Sequence, residues 1–245
     1  MKVFLIFFIL HITTLGLCQN LISNGNFEEY YECINDYGEI GIAKGWFQQV
    51  GSSDYFNRCC MKTNFVGVPL NFKGYQEPLD GSAYAGLFLF YFDKRYEANG
   101  FYNREYLQTM FTSPLQVGKR YLVSFYYSLA DSSEFYTNHF SVCFSNTKFL
   151  EKVKVTESVL KCENRVSRQI NKSEAIDTEN WNKIEFEYFA NGGENYLSIG
   201  FFYDDLTKGS FKKVVKRNRF KHINASEKDA YYYIDSVLVV QTDKR

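Results

Sequence analysis

The feature that most constrains this chain is a period-two alternation of apolar and polar residues that recurs along its length without a helical counterpart. In Trp181–Tyr188, Ile184, Phe186 and Tyr188 fall on one face and Lys183, Glu185 and Glu187 on the other. That is the pattern of a half-buried strand. After the turn signal Asn191-Gly192-Gly193, Leu197, Ile199, Phe201 and Tyr203 alternate with Tyr196, Ser198 and Gly200, which predicts the returning strand of a hairpin. Phe140, Val142 and Phe144 alternate with His139, Ser141 and Cys143 in the same way. Further strands are expected at 82–91, 104–112, 119–129 and 230–240. No segment longer than two helical turns carries an apolar stripe, and 147–160 and 172–180 are the weakest stretches of the pattern. Strands without intervening helices predict an all-β, two-layer antiparallel sandwich.

The chain begins Met1-Lys2, then runs apolar from Val3 to Leu10, with Thr13, Thr14, Gly16 and Cys18 before a polar start at Gln19. One basic residue, a short apolar run and small residues make a secretory signal peptide over 1–18. The run falls short of the roughly 20 apolar residues of a membrane span, and no later stretch reaches that length. A competing reading takes Leu15-Gly16-Leu17-Cys18 as a loose lipobox with Cys18 lipidated, although Leu17 is bulky where a small residue is wanted. Residues 19–245 carry no repeat and no Ser/Gly/Pro-rich linker, so one domain is expected.

Export sets the reading of the cysteines. There are six in all, five of them after Cys18, and no C-x-x-C pair. In an oxidising compartment these are disulfide candidates rather than zinc ligands. Cys33 with Cys59 or Cys60, and Cys143 with Cys162, are the expected bridges, each worth about 3 kcal/mol in the chain-entropy picture. One thiol is left over. Lys and Arg balance Asp and Glu at 28 each, so no global field recruits nucleic acid or an anionic membrane. Lys208 to His222 holds seven Lys or Arg residues. It reads as a solvated hairpin extension, or as a contact surface for an acidic glycan.

Sugar rings stack their C–H faces on aromatic planes while planar polar side chains bond the hydroxyls. Trp46, Tyr55, Phe56, Tyr75, Tyr102 and Tyr106, with Asn57, Gln76, Arg104 and Glu105, supply those groups on expected loops and strand ends. The ligand candidates are Trp46, Tyr55, Asn57, Tyr75, Gln76, Tyr102 and Arg104. Against them stands the abundance of aromatics, 20 Tyr and 24 Phe, most of which a sandwich buries. Arg104 and Glu105 are adjacent on an expected strand, hence on opposite faces, and cannot both point at one ligand.

The opening Asn20-Leu21-Ile22-Ser23-Asn24-Gly25-Asn26-Phe27-Glu28 and the ending Tyr233-Ile234-Asp235-Ser236-Val237-Leu238-Val239 resemble the first and last strands of galactose-binding-like jelly rolls, the fold of many carbohydrate-binding modules. The resemblance implies jelly-roll topology, terminal strands lying together, and a structural calcium ion. Its ligands would be Glu28 and Asp235, with carbonyls near Asn26 and Asp80. The physics agrees: Asp235 lies inside an apolar strand, where a carboxylate needs a cation or strong donors. Calcium takes six to eight oxygens and suits such a place; backbone N–H groups, Lys or Arg are the alternative partners.

Between the ends, Gly45-Trp46, Asp54–Cys59, Val66–Asn71, Gly74–Glu77, Asp80–Gly86, Arg104–Tyr106 and Gly118–Asp131 resemble a family of exported Bacteroidota proteins associated with gliding motility or with OmpA. The resemblance covers most of 20–145. Relatives of that kind often continue into a peptidoglycan-binding domain, which does not follow here.

Catalytic machinery is missing from the pattern. After Gln19 the only histidines are His139 and His222, neither near a G-x-S-x-G elbow, and there is no H-E-x-x-H. The expected function is therefore a non-catalytic, exported carbohydrate-binding module at the cell surface or released. A structural or adhesion component of the envelope, binding a protein partner, is the alternative, motivated by the family resemblance and the unpaired cysteine.

Overall fold

The computed structural model describes residues 19–48, 51–60, 65–92, 102–149, 160–202, 211–214 and 228–242. The expected signal peptide over 1–18 and most of the basic segment 208–222 lie outside them. Among the described residues, fifteen strands follow in chain order. The first six are β1 (Trp46–Gln48), β2 (Asp54–Asn57), β3 (Leu70–Asn71), β4 (Gly74–Tyr75), β5 (Ala83–Phe92) and β6 (Tyr102–Asn103). Then come β7 (Leu107–Met110), β8 (Arg120–Leu129), β9 (Phe135–Tyr136), β10 (His139–Ser145) and β11 (Asn164–Gln169). The last are β12 (Asn182–Phe189), β13 (Tyr196–Gly200), β14 (Lys212–Lys213) and β15 (Lys228–Thr242). A 3-10 turn at Ile40–Ile42 and a single helical turn, α1 (Lys172–Ala175), are the only helical pieces among the described residues.

Two antiparallel sheets form the body. One has the order β12-β8-β15-β5-β2, with β6 beside β5, and the other β1-β7-β13-β10-β11. The long strands switch sheets repeatedly along the chain: β5, β8, β12 and β15 belong to the first, β7, β10 and β13 to the second. That winding is a jelly-roll sandwich, as expected.

One expectation is corrected. The strands either side of Asn191-Gly192-Gly193 do not form a hairpin: β12 pairs with β8, whereas β13 pairs with β7 and β10. The turn carries the chain across the sandwich. Alternation records which side chains face the core, and both strands do face it, but from opposite layers. The turn has a built cause. Gly192 and Gly193 take φ 96° and 87°, values that favour glycine, and the carboxylate of Glu194 folds back to accept from Asn191 N and Gly192 N, both at 2.8 Å. Glu194 also accepts from Tyr188 Oη at 2.7 Å and is fully buried.

The space between the sheets is filled by rings. Phe140 sits 5.0 Å from both Tyr127 and Tyr232, and Phe144 stacks on Tyr188 at 3.7 Å. A second apolar layer covers the outer face of the six-stranded sheet, where Phe56 and Phe72 pack on Tyr84, Tyr231 and Tyr233. Two disulfides tie the loops, Cys33–Cys59 and Cys143–Cys162, with Cα atoms 5.8 and 5.9 Å apart. Cys60 is free and buried. A buried thiol is unsuited to a covalent bond with a partner, so the leftover cysteine no longer motivates one.

The chain's ends run together. Leu21 N donates to Val239 O and Val237 N to Gly25 O, each at 2.8 Å, and Asn20 bonds the main chain of Val237 and Val239. Replacing Glu194 by Ala would strand the buried Tyr188 hydroxyl and two part-buried amides, with about 1–3 kcal/mol lost at a fully buried group and less at the others. Glu194→Ala is therefore expected to lower unfolding free energy by about 3 kcal/mol, read as a shifted urea midpoint at constant m-value. An unshifted midpoint would remove this account of the crossover.

Candidate functional site

The loop between β4 and β5, residues 76–82, is held from beneath at both ends. At its start, Asp131 Oδ2 accepts from Tyr75 N at 2.8 Å. That approach is open only because residue 74 is glycine: a Cβ there would lie 2.5 Å from the same carboxylate oxygen. Gln76 is buried, accepts from Ser128 Oγ at 2.9 Å and donates to Glu77 O at 3.1 Å. At the loop's end, Glu28 Oε1 accepts from Ser82 N at 2.7 Å and Ala83 N at 2.9 Å. Asp235 Oδ2 accepts from Leu79 N at 3.0 Å, and its Oδ1 from Ser236 N at 2.6 Å.

Glu28 and Asp235, from opposite ends of the chain, thus grip one turn through its main-chain amides. Asp235 has no exposed surface. Burial, more than the two amide bonds can offset, pushes its carboxyl up to about 7, and the negative charge of Glu28 adds to the rise. Among the described residues, the two non-glycine residues with left-handed backbone adjoin this pair: Phe27 at φ 62° precedes Glu28, and Ser236 at φ 50° follows Asp235. Such strain persists only where the surroundings enforce it, and it gathers at functional sites.

The donors fit a hard cation. Both side chains offer carboxylate oxygen, and among the described residues Glu28 Oε2 accepts no hydrogen bond and no Lys, Arg or His pairs with either acid. Among the described residues no three His, Cys, Asp or Glu side chains converge. Calcium here would draw the rest of its shell from main-chain carbonyls and solvent, which it accepts. Asn26 and Asp80 are both exposed, and Asp80 Oδ1 accepts from Gly81 N at 2.9 Å.

Most of the aromatic and polar candidates go inward. Trp46 is buried, stacks on Phe27 at 4.5 Å and donates from Nε1 to Asn24 O. Tyr55 and Asn57 are buried and bonded to each other at 2.7 Å, and Tyr55 Oη donates on to Phe27 O. Arg104 is buried with its guanidinium 5.1 Å from the Phe201 ring, donating to Phe201 O. Tyr102 is placed by its backbone pairing with Phe92. Trp46, Tyr55, Asn57, Gln76 and Arg104 therefore offer no face to a glycan. The buried polar tips of Trp46, Tyr55, Asn57 and Gln76 have internal partners, which is what lets these side chains serve as core.

Among the candidates whose side chains the structure describes, Tyr75 is the one left at the surface, 40% exposed, and it has company the sequence did not reveal. Its Oη donates to Glu77 Oε1 at 2.7 Å, while Arg58 Nη2 reaches Glu77 Oε2 at 2.6 Å. Trp181, half-buried, donates from Nε1 to Glu77 O at 2.8 Å and meets Tyr84 edge-on at 5.8 Å. Two aromatic rings and a guanidinium–carboxylate pair are thus fixed around Glu77 on a clamped loop. Trp181 was legible only as the start of an alternating strand.

Behind this loop lies a buried charged cluster. Lys73 pairs with Asp229 at 2.8 Å and lies 4.6 Å from the Phe88 ring. Asp54 accepts from Gly38 N and from Tyr231 Oη, and Glu105 from Ser52 and Phe88 N. Burial, then the Glu105 charge, pushes Asp54 up to about 7, and burial raises Glu105 as well.

No family model matches the chain, and no curated protein matches it. The resemblance to the exported Bacteroidota family over 20–145 therefore assigns no family. Solved structures of low similarity were found. The K1 cleaved adhesin domain of Lys-gingipain from Porphyromonas gingivalis W83 aligns at TM-score 0.42 and 15% identity, covering 85% of this chain and 97% of its own. The CBM22-1 xylan-binding domain of Paenibacillus barcinonensis Xyn10C aligns at 0.39 and 12%, covering 86% and 94%. TmCBM61, solved with β-1,4-galactotriose, aligns at 0.36 and 11%, covering 91% and 99%.

The raised carboxyls set a pH dependence. Their folded values near 7 lie above the ordinary carboxylate value of about 4 in the unfolded chain, so the folded state holds these protons more tightly. Their contribution is full below about pH 4 and is lost as pH rises through about 7. In EDTA the melting temperature is expected to fall from about pH 5 to about pH 8, and Asp54→Asn to shrink that fall. Calcium is expected to restore stability at the upper pH in the parent and not in Asp235→Asn. A melting curve indifferent to EDTA and calcium would remove the cation.

Proposed function

We propose that this chain is an exported, non-catalytic carbohydrate-binding module that takes its glycan on the Tyr75–Glu77–Trp181 surface. One observation carries the reading: two partly exposed aromatic rings and the Arg58–Glu77 pair are fixed around a loop that the interior holds rigid. Rings whose orientation is already set lose little freedom on binding, and pre-organised polar groups beside them supply the hydroxyl contacts. Two disulfides support export, because such bonds persist in oxidising compartments.

Calcium at Glu28 and Asp235 belongs to the same proposal, in a structural role. It would neutralise the two acids that hold Leu79, Ser82 and Ala83, and so would stiffen the loop that presents Tyr75 and Glu77.

Affinity electrophoresis against a panel of soluble polysaccharides tests the reading. Trp181→Ala and Tyr75→Ala are each expected to weaken retention at least about tenfold, the loss of one stacking contact of about 1.4 kcal/mol. Arg58→Ala is expected to weaken it less. Absence of retention on every polysaccharide, together with recovery of a discrete envelope protein on the purified chain, would replace this reading with that of an adhesion component.

A further inference from the structure

A groove of about 500 Å³ runs along the outside of the paired chain ends, apart from every residue of the Tyr75–Trp181 surface. Ile22, Gly25, Val237 and Leu238 give it an apolar part, and the amides and hydroxyls of Gln19, Asn20, Ser23, Asn26, Thr112 and Ser236 give it a polar rim. We propose that this groove is a second binding site, for a neutral saccharide of about two sugar units, a size matched to pockets of about 300–1,000 Å³.

Three observations select that class of ligand. First, no charged side chain lines the groove, so neither an anion nor a cation finds a side-chain counter-charge there. Second, Asn20 is spent on the main chain of Ile22, Val237 and Val239, but the other amides and hydroxyls of the rim are held in reserve. Among the described residues, the side chains of Gln19, Ser23, Asn26 and Thr112 make no hydrogen bond, and Ser236 Oγ reaches only Asp235 Oδ1, at 3.4 Å. Amides and hydroxyls that both donate and accept are the groups that match sugar hydroxyls. Third, the main chain of the paired ends beside the groove is already used. Leu21 N, Val237 N and Val239 N are bonded across the two ends, and Thr112 N donates to Leu21 O at 2.9 Å. An extended peptide binds a sheet edge through such groups, and none of these N–H groups is left for it.

The groove wall shares its backbone with the acid pair. Ser236, at φ 50°, follows Asp235, and Asn26 lies two residues before Glu28. Two rim groups are therefore placed by the same interactions that clamp the loop above.

The proposal shares with the preceding section the reading of a glycan-binding protein, and the experiment separates the two sites. The full chain, labelled with 15N, is titrated by NMR separately with cellobiose, lactose, maltose and xylobiose, and with tetra-alanine. At least one disaccharide is expected to shift the amide resonances of Ser23, Gly25, Asn26, Thr112 and Ser236. Thr112→Trp, which fills the groove from an exposed position, is expected to weaken those shifts at least tenfold, and Asn26→Ala severalfold on an otherwise unchanged spectrum. Trp181→Ala is expected to leave them intact. Disaccharide shifts confined to Tyr75, Glu77 and Trp181 would overturn the groove while leaving the loop surface standing. Shifts confined to the groove would do the reverse. Groove shifts caused by tetra-alanine alone, or by no probe, would also overturn the proposal.

Discussion

The structure depends on a buried carboxylate that arrives near the end of the chain. Asp235 lies at the irregularity of β15, where the register with β8 shifts before Leu238. The left-handed turn at Ser236 aims its oxygens at main-chain amides. An apolar residue there would continue the strand. It would leave the Leu79 amide without its acceptor, and the loop would lose its tie to the sheet. Glu28 performs the matching task from the other terminus. Closure of the sandwich at its two ends and positioning of the surface loop are therefore one interaction seen from two sides.

An aromatic interior imposes a second constraint. Tyrosine fills space as well as phenylalanine does, but each buried hydroxyl must find a partner. Here the partners come from segments that would otherwise be loose covering. Asn71 bonds both Tyr84 and Tyr233, Gln76 O accepts from Tyr84, and the main chain of Thr137 and Ala175 accepts from Tyr232. These bonds give direction to contacts that ring packing alone would leave slippery. They fix the register of the β3–β4 hairpin on the outer face of the sheet.

How much of this was legible follows from which interactions are local. Ile184, Phe186 and Tyr188 declare a buried face because alternation is a property of neighbours in sequence, and Asp235 declares itself by standing in an apolar run. The pairing of β12 was not legible, because the partner of a strand is set by the whole winding and two core-facing strands look alike whether they share a sheet or face each other. The sequence leaves Trp46 open between ligand face and core, and it is interior, since the stack with Phe27 needs a left-handed residue that no pattern announces. Trp181 was passed over for the opposite reason. Its partner carbonyl is 104 positions away in the chain. Cys33 could be matched to Cys59 or Cys60 from spacing alone; the structure bridges Cys59 and turns Cys60 into the interior.

The segment carrying the exposed Tyr75 and Glu77 also carries Phe72 and Lys73, which enter the interior beneath them. Lys73 is the ammonium of a cluster with three acids, Asp54, Glu105 and Asp229, and its side chain is only 5% exposed. Removing a lysine from such a place leaves uncompensated buried charge, a far larger penalty than a surface pair incurs. The hairpin cannot lift from the sheet without drawing that charge away from Asp229 and uncovering Phe56 and Tyr231 together. A surface that must present rings in one orientation is best built on a segment whose other side is the hardest part of the molecule to open. Tyr75 and Glu77 follow directly from Lys73 in the chain, so the rigidity of the binding surface is supplied by the electrostatics of the core.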